Sequence, residues 1–245
     1  MKHLIIVCVY NKPTLTRRCI GSLVRTTDLK KSTLLIADDH SDLKTRTAIQ
    51  KLIAKNPAIL LQRNEKNIGK PKSVNVALRR YPRMDYYTIL DNDVTIQSSN
   101  WVDTLMKAHR DWQDKAILGA YTYMSGFALA KNGRHYLDPW PYWNLAGCFF
   151  SFSKQVFGKL GYLSAVSRRS EDADYCRRAW LGGFRWFYIT DIKAQISAYK
   201  DPKERIRLSG FQRFEQKKRL AYSNYVMHTH DLRYPPRGKV KAFKK

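Results

Sequence analysis

The sequence has little negative charge. Its 245 residues include 45 lysines and arginines but only 20 aspartates and glutamates, which gives a formal net charge of +25. Folding does not require such an excess, so it favours a polyanionic partner such as nucleic acid, an anionic glycan or an acidic membrane surface. The alternative is a basic surface that only keeps the protein in solution.

Cysteine and long apolar runs are also scarce. The four cysteines, Cys8, Cys19, Cys148 and Cys176, form no C-x-x-C pair, which disfavours a disulfide framework or a zinc site and favours a reducing compartment. No stretch approaches the roughly 18 apolar residues of a membrane span, and the run Leu4–Val9 is too short for a signal peptide. We therefore expect a soluble, cytoplasmic protein without a transmembrane segment.

Apolar residues make up 44% of the chain, enough for a real core. In the first half, strand patterns alternate four times with helix patterns. The strands are predicted at 3–10, 33–39, 58–62 and 86–90, and the helices at 13–24, 43–54, 69–80 and 101–112. This alternation predicts an α/β fold with a parallel, doubly wound sheet, in which ligands bind beyond the carboxyl ends of the strands.

The second half is less regular. It predicts one or two strands over 116–130, a mobile loop over 131–143, a buried strand over 144–152, a helix capped by Ser170, short strands at 184–189 and 193–199, and a basic helix over 203–225. There are no internal repeats and no linker. We expect a single domain with three regions, 1–115, 116–200 and a basic 201–245.

Three of the predicted strands end in polar clusters, namely Tyr10-Asn11, Asp38-Asp39 and the run Asp91 to Asp93. Right-handed crossovers place all three clusters on one edge of a parallel sheet. An Asp-x-Asp supplies hard oxygen ligands for Mn²⁺ or Mg²⁺ and leaves positions for phosphate oxygens. Such a pattern is also common in surface turns, and Asp38 or Asp39 could be a helix cap.

Five segments resemble one known family. "VCVYN", "IADDHSD", "NEKNIGKPKSVNVAL", "ILDNDV" and "SEDADYCRRAWLGGFR" occur in the order and spacing of the family 2 glycosyltransferases, over roughly residues 3 to 195. The resemblance implies the GT-A fold, a Rossmann-like, mostly parallel sheet flanked by helices with a smaller acceptor-side region. Residues 1–115 would then bind a nucleotide sugar, and residues 116–200 would form the acceptor half.

The resemblance also implies a donor site. Its donor-binding residues would be Cys8, Tyr10, Asn11, Asp39, Asn67, Gly69, Asn75 and Asp91. Tyr10 and its neighbours would line the base, which is usually uracil in that family, and Asp39 would accept a hydrogen bond from the base. Asp91 would face the ribose and the sugar, and Asp93, together with Asp91, would bind Mn²⁺ or Mg²⁺.

On the acceptor side, Glu171-Asp172 matches the family's acidic pair, and Asp172 would be the catalytic base of an inverting transfer. A helix N-terminus stabilises negative charge, so both acids could also be ordinary first-turn residues. Trp140 and Trp143, in an aromatic segment, are acceptor-side candidates, although they could simply pack. Many relatives carry a metal-binding histidine after this helix; "DIKAQISAYK" has none, and His228 and His230 are candidates to replace it.

The charge indicates the acceptor. Compactness and a basic tail favour a virus-encoded, DNA-modifying enzyme in the host cytoplasm, which transfers a sugar from a UDP-sugar to a hydroxymethylated pyrimidine in DNA. The first alternative is a glycan-building transferase docked on an anionic membrane or cell-wall polymer. An alternative of another class is a basic nucleic-acid-binding protein or metal-dependent nuclease.

Overall fold

The structure is a computed structural model that describes residues 1–120, 127–138, 145–165 and 171–196. The predictions at Trp140, Trp143, Ser170, His228 and His230, and the predicted helix at 203–225, lie outside the described residues.

Strands and helices alternate through the first half and mix in the second. The strands are β1 (His3–Val9), β2 (Ser32–Asp38), β3 (Leu60–Arg63), β4 (Tyr86–Asp91), β5 (Val94–Ile96), β6 (Ala116–Ala120), β7 (Phe127–Lys131), β8 (Arg134–Asp138), β9 (Phe149–Ser153), β10 (Arg185–Ile189) and β11 (Ala194–Ile196). The helices are α1 (Pro13–Thr26), α2 (Leu43–Lys55), α3 (Lys70–Arg80), α4 (Trp101–Asp111), α5 (Lys154–Leu160) and α6 (Glu171–Leu181).

Nine of these strands form one sheet in the order β3-β2-β1-β4-β9-β6-β10-β8-β7. Only β8 and β9 run against the direction of the other seven. The predicted α/β fold with a mostly parallel sheet flanked by helices is therefore confirmed. In its register Cys8 lies beside Asp91, and Val9 lies beside Asp38, so β1, β2 and β4 end at one edge.

Helices cover both faces of the sheet because successive strand side chains point to opposite sides. Ile5 and Val7 pack on the face that holds α1, α2 and α4, whereas Leu4 and Ile6 pack on the face that holds α3, α5 and α6. Near-continuous apolar strands are what burial on both faces demands.

The predicted loop over 131–143 is wrong for Arg134–Asp138, which form β8 between β7 and β10. Asn132 and Gly133, both at positive φ, form the tight turn of a hairpin between β7 and β8. The sequence analysis assigned these turn residues to a loop. The charged side chain of Arg134 is held by Asp111 at the end of α4, a contact that no local pattern reveals.

Other boundaries also differ from the sequence predictions. The strand expected over 144–152 begins only at Phe149, and the residues before it turn towards α6. Ser153 ends that strand and caps α5, a helix too short for its periodicity to show. The strands β5 and β11 form a separate two-stranded sheet. Within the described ranges, no helix is long and apolar enough to cross a membrane.

Candidate active site

The turn after β1 is sharply bent and tightly held. Asn11 and Lys12 follow one another with φ of 57° and 62°, the left-handed region that non-glycine residues rarely occupy. The Asn11 backbone N–H donates to Ser41 Oγ at 3.0 Å, and its side-chain oxygen accepts from Asp42 N at 2.8 Å. Strain of this kind persists only where the surroundings enforce it, and it gathers at functional sites.

Two predicted base-lining residues lie on this edge in different ways. Tyr10 is 51% exposed, an aromatic ring left open to solvent just beyond β1. Cys8 is more enclosed, and burial raises the pKa of its thiol to about 12, so it remains protonated. A neutral thiol forms only weak hydrogen bonds, so Cys8 would contribute to a ligand site mainly through its backbone and its volume.

Asp39 is 5% exposed and already has three donors. Its Oδ1 accepts from Asn64 Nδ2 and from Ile68 N, both at 2.9 Å, and its Oδ2 accepts from Gly69 N at 2.8 Å. Gly69 has a φ of 85°, which a glycine adopts without strain. The carboxylate of Asp39 thus shapes the loop that leads into α3, a role that its sequence motif does not reveal.

Asn67 and Asn75, the two asparagines predicted to flank the nucleotide, lie in different environments. Asn67 is exposed on the loop before α3. Asn75 is buried, donates to Leu163 O at 2.8 Å and accepts from Leu163 N at 3.0 Å. These two hydrogen bonds connect α3 to the segment after α5, so the Asn75 side chain has a structural role there.

Asp91 and Asp93 flank the turn from β4 to β5, which the Asn92 side chain fixes by donating to Asn11 O at 3.0 Å. Asp93 lies 3.9 Å from Lys12 Nζ, and its side chain is 16% exposed. Burial and the charge of Asp91 raise the pKa of Asp93. Two oxygen-donor acids in electrostatic conflict suit a hard divalent cation, which would relieve that conflict.

Lys70 is a residue of this site that the sequence analysis missed. Its ammonium lies 2.6 Å from Asp91 Oδ1, 3.4 Å from Glu171 Oε1 and 2.8 Å from the Gly147 carbonyl oxygen. Burial disfavours the charge of Lys70, but the carboxylates of Asp91 and Glu171 outweigh it and hold its pKa well above the usual value. A signal existed, because a lysine in the first turn of α3 opposes the helix dipole.

Glu171 and Asp172 begin α6, and Glu171 contacts this lysine. Burial raises the pKa of Glu171, although the charge of Lys70 opposes that shift. Asp172 Oδ2 accepts from Gly147 N at 3.0 Å. The structure therefore brings the predicted donor-side Asp91 and the predicted acceptor-side acids into one network.

In the part of the chain that is described, no group of three or more acidic, histidine or cysteine residues could hold a metal by itself.

Solved structures that hold a nucleotide sugar or UDP share this fold. The mannosyltransferase PcManGT from Pyrobaculum calidifontis, in complex with GDP-Man and Mn²⁺, has a TM-score of 0.71 and 16% identity, over 96% of this chain and 66% of that one. Residues 1–349 of S. aureus TarS, in complex with UDP-GlcNAc, have a TM-score of 0.61 and 16% identity, over 80% and 58%. GalNAc-T7, with UDP, GalNAc and Mn²⁺, has a TM-score of 0.67 and 12% identity, over 80% and 43%.

These three likenesses show that the fold is of the GT-A type. The chain spans between 43% and 66% of the length of these structures. No curated protein matches the chain in a sequence comparison. The model of "Glycosyl transferase family 2" matches residues 4–173, which is more than half of the 245 residues. The chain belongs to glycosyl transferase family 2.

Proposed function

We propose that this protein transfers a sugar, with inversion, from a nucleoside diphosphate sugar to a hydroxyl group of a polyanionic acceptor. The donor is a UDP-sugar, and the acceptor is a hydroxymethylated pyrimidine in DNA. One observation carries the transferase proposal: Lys70 contacts both Asp91, at the edge where β1, β2 and β4 end, and Glu171, next to Asp172. The donor-side Asp91 and the acceptor-side pair Glu171-Asp172 are therefore close together. Group transfer needs its two substrates to be held side by side, which this arrangement allows.

Asp91 and Asp93 would hold Mn²⁺ or Mg²⁺, with remaining positions for diphosphate oxygens. The ion would supply Lewis-acid stabilisation of the leaving diphosphate. The raised pKa of Asp93, caused by burial and by the charge of Asp91, supports this assignment, because a bound cation removes the repulsion. Tyr10, exposed beside β1, is available to contact the base.

Asp172 acts as the general base. As the acceptor oxygen forms its bond to the anomeric carbon, Asp172 takes the hydroxyl proton. The bond from the anomeric carbon to the diphosphate oxygen breaks, and the nucleoside diphosphate leaves with that electron pair. Attack from the face opposite the leaving group inverts the anomeric centre. Hydrogen bonds from Gly147 N and Ala173 N fix the orientation of the Asp172 carboxylate.

Two neighbouring helices support a polyanionic acceptor. Neither α1 nor α2 contains an acidic residue, and together they carry Arg17, Arg18, Arg25, Lys44, Arg46, Lys51 and Lys55. All of these except Arg46 are exposed. Such a surface attracts a phosphate backbone with a strength that falls as salt rises. Hydroxymethylated DNA offers a nucleophilic hydroxyl next to that backbone.

Donor binding is tested by thermal unfolding with Mn²⁺ and either UDP or GDP, because solved structures of this fold hold either UDP-GlcNAc or GDP-Man. A rise in melting temperature that needs both metal and nucleotide is expected, with UDP stronger. Stabilisation by DNA alone, with no response to any nucleotide, would contradict the transferase proposal and favour a nucleic-acid-binding protein.

The acceptor is tested by incubating the protein with radiolabelled UDP-sugars and duplex DNA, either hydroxymethylated or unmodified. Label retained only on hydroxymethylated DNA, and decreasing with added salt, is the expected result. Label on an anionic cell-wall polymer or lipid, and none on DNA, would refute the DNA acceptor and support the glycan-building alternative while keeping the transferase reaction.

A further inference from the structure

Three oxygens of the protein surround the ammonium of Lys70. An ammonium has three N–H donors. Three acceptors lie around Lys70 Nζ: Asp91 Oδ1 at 2.6 Å, the Gly147 carbonyl oxygen at 2.8 Å and Glu171 Oε1 at 3.4 Å. The charge of Lys70 is thus already balanced by two carboxylates of the protein, with the shortest contacts to Asp91 and Gly147.

The Gly147 peptide joins Lys70 to the proposed base. Its carbonyl oxygen accepts from Lys70, and its N–H donates to Asp172 Oδ2 at 3.0 Å. A Cβ added at Gly147 would lie 3.3 Å from Lys70 Nζ and 3.3 Å from Asp172 Cβ. Both distances are tighter than ordinary van der Waals contact, so Lys70 and Asp172 would have to move by a few tenths of an ångström to admit an alanine.

We propose that Lys70 is a positioning residue for the acceptor-side acids, acting on Glu171 directly and on Asp172 through the Gly147 peptide. This inference rests on the proposed function, since it assigns Lys70 to the orientation of the general base. Without the ammonium, the charges of Asp91, Glu171 and Asp172 repel one another, and the peptide that donates to Asp172 loses its anchor.

The expected kinetic signature is a loss in turnover rather than in donor affinity. Misplacing a reacting group by about 1 Å can cost roughly 10²-fold in rate. We expect Lys70→Met and Gly147→Ala to lower kcat by about 10- to 100-fold while the donor KM changes less than about threefold. Lys72→Met is the matched control, because Lys72 is exposed two residues further along α3.

The kinetic test measures kcat and KM for transfer, or for hydrolysis of the UDP-sugar with water as the acceptor. Lys70→Ala should regain turnover with added methylammonium, which supplies the missing charge. A donor KM raised tenfold or more with kcat retained would make Lys70 a donor-binding residue and overturn the positioning role. An equal loss of kcat in Lys72→Met would also overturn the positioning role of Lys70.

A second measurement does not need activity and separates this inference from the proposed function. Thermal unfolding of Lys70→Met, Asp172→Asn and the double variant forms a double-mutant cycle. We expect the change at Asp172 to shift the melting temperature much less in the Lys70→Met background than in the wild type, because the contact chain is already broken. The cycle of Lys72→Met with Asp172→Asn should be additive. Additivity in the Lys70 cycle overturns the inference even if transfer occurs, whereas coupling without any nucleotide response refutes only the proposed function.

Discussion

Asp93 carries its negative charge in a poorly solvated place. Its side chain is 16% exposed, and Lys12 Nζ is 3.9 Å away, beyond hydrogen-bond reach. Burial, followed by the charge of Asp91, raises its pKa above the ordinary value. A raised carboxyl pKa means that ionised Asp93 destabilises the folded protein at neutral pH, unless a cation or a ligand compensates.

Substitution of Asp93 by Asn is therefore expected to have two opposite effects. Without metal, Asp93→Asn should raise the melting temperature at pH 7, because it removes an unfavourable charge; below the pKa of unfolded aspartate this gain should vanish. With UDP and Mn²⁺, the variant should lose the stabilisation that the wild type shows. Thermal unfolding at pH 7, with and without UDP and Mn²⁺, checks both effects. A variant that keeps the full response to Mn²⁺ would exclude Asp93 as a ligand.

Asp172 and Asp174 provide a matched pair on the first turn of α6. Asp172 accepts from Gly147 N, whereas Asp174 forms an ion pair with Arg178 at 2.8 Å. We expect Asp172→Asn to lower kcat by about 10²- to 10⁴-fold, because an amide cannot take the acceptor proton. Asp174→Asn should stay within about threefold of the wild type, since it removes only a partly exposed ion pair. Transfer assays at saturating donor distinguish the two, and similar losses in both variants would contradict the assignment of Asp172 as the base.

Among the elements, the hairpin of β7 and β8 depends on one side chain of α4. Asp111 accepts from the Arg134 guanidinium at 2.5 Å, from Tyr136 Oη at 2.6 Å and from Asn132 Nδ2 at 2.8 Å. Burial alone would raise the pKa of Asp111, but these hydrogen bonds lower it to about 2. A short hairpin that packs on an edge of the sheet is thereby fixed to a helix from the other half of the chain.

Removal of this anchor should destabilise the protein. Asp111→Ala leaves Arg134 and Tyr136 without their acceptor, and we expect a loss of about 3 kcal/mol in the free energy of unfolding. Urea denaturation at pH 7 measures the loss, with Asp103→Ala on the same helix as the control. Because the folded pKa of Asp111 is depressed, its contribution should disappear as the pH falls from about 4 towards 2. An unchanged unfolding midpoint would show that the hairpin is held by its strand pairing alone.

At the scale of the whole molecule, a buried polar chain links four of the nine strands of the main sheet to one helix. It runs from Ser32 Oγ to His3 (3.1 Å), Thr88 (2.9 Å), Ser151 (3.1 Å) and His109 (2.9 Å). Burial lowers the pKa of both histidines to about 3. Nδ1 of His109 has no hydrogen-bond partner in the described ranges, so a second N–H there would be unsatisfied. Burial therefore favours the neutral form of both rings in the folded protein.

The whole protein should lose stability in mild acid. In the unfolded chain the histidines gain protons near pH 6.5, and in the folded chain only near pH 3, so the unfolded state binds more protons between these values. Each histidine should cost up to about 1.4 kcal/mol per pH unit over that window. Urea denaturation at pH 7 and pH 5 measures the fall, and His109→Gln should reduce it. Equal stability of the wild type at both values would contradict the neutral, buried state.

Much of the architecture was readable before any coordinates. Three apolar strands of the first half, β1, β2 and β4, are covered on both faces, so their sequences are continuous and their ends are marked by Asn11, Asp39 and Asp91. Parallel strands must end at one edge, so the grouping of these residues followed from the alternation alone. The elements missed were short ones, β5, β8 and α5, because three to seven residues are too few to show a period.

The sequence by itself determined the alternation of strands and helices, the edge at which the polar clusters gather and the family, because each depends on residues close together in the chain. Only the tertiary structure decided that Lys70 joins Asp91 to Glu171, that Asp39 shapes the loop before α3, and that Asn75 binds Leu163. Lys70 and Gly147 are 77 positions apart, and Asn75 and Leu163 are 88 apart. Contacts at such separations follow from how the sheet brings distant segments together, and local propensity and spacing contain no information about them.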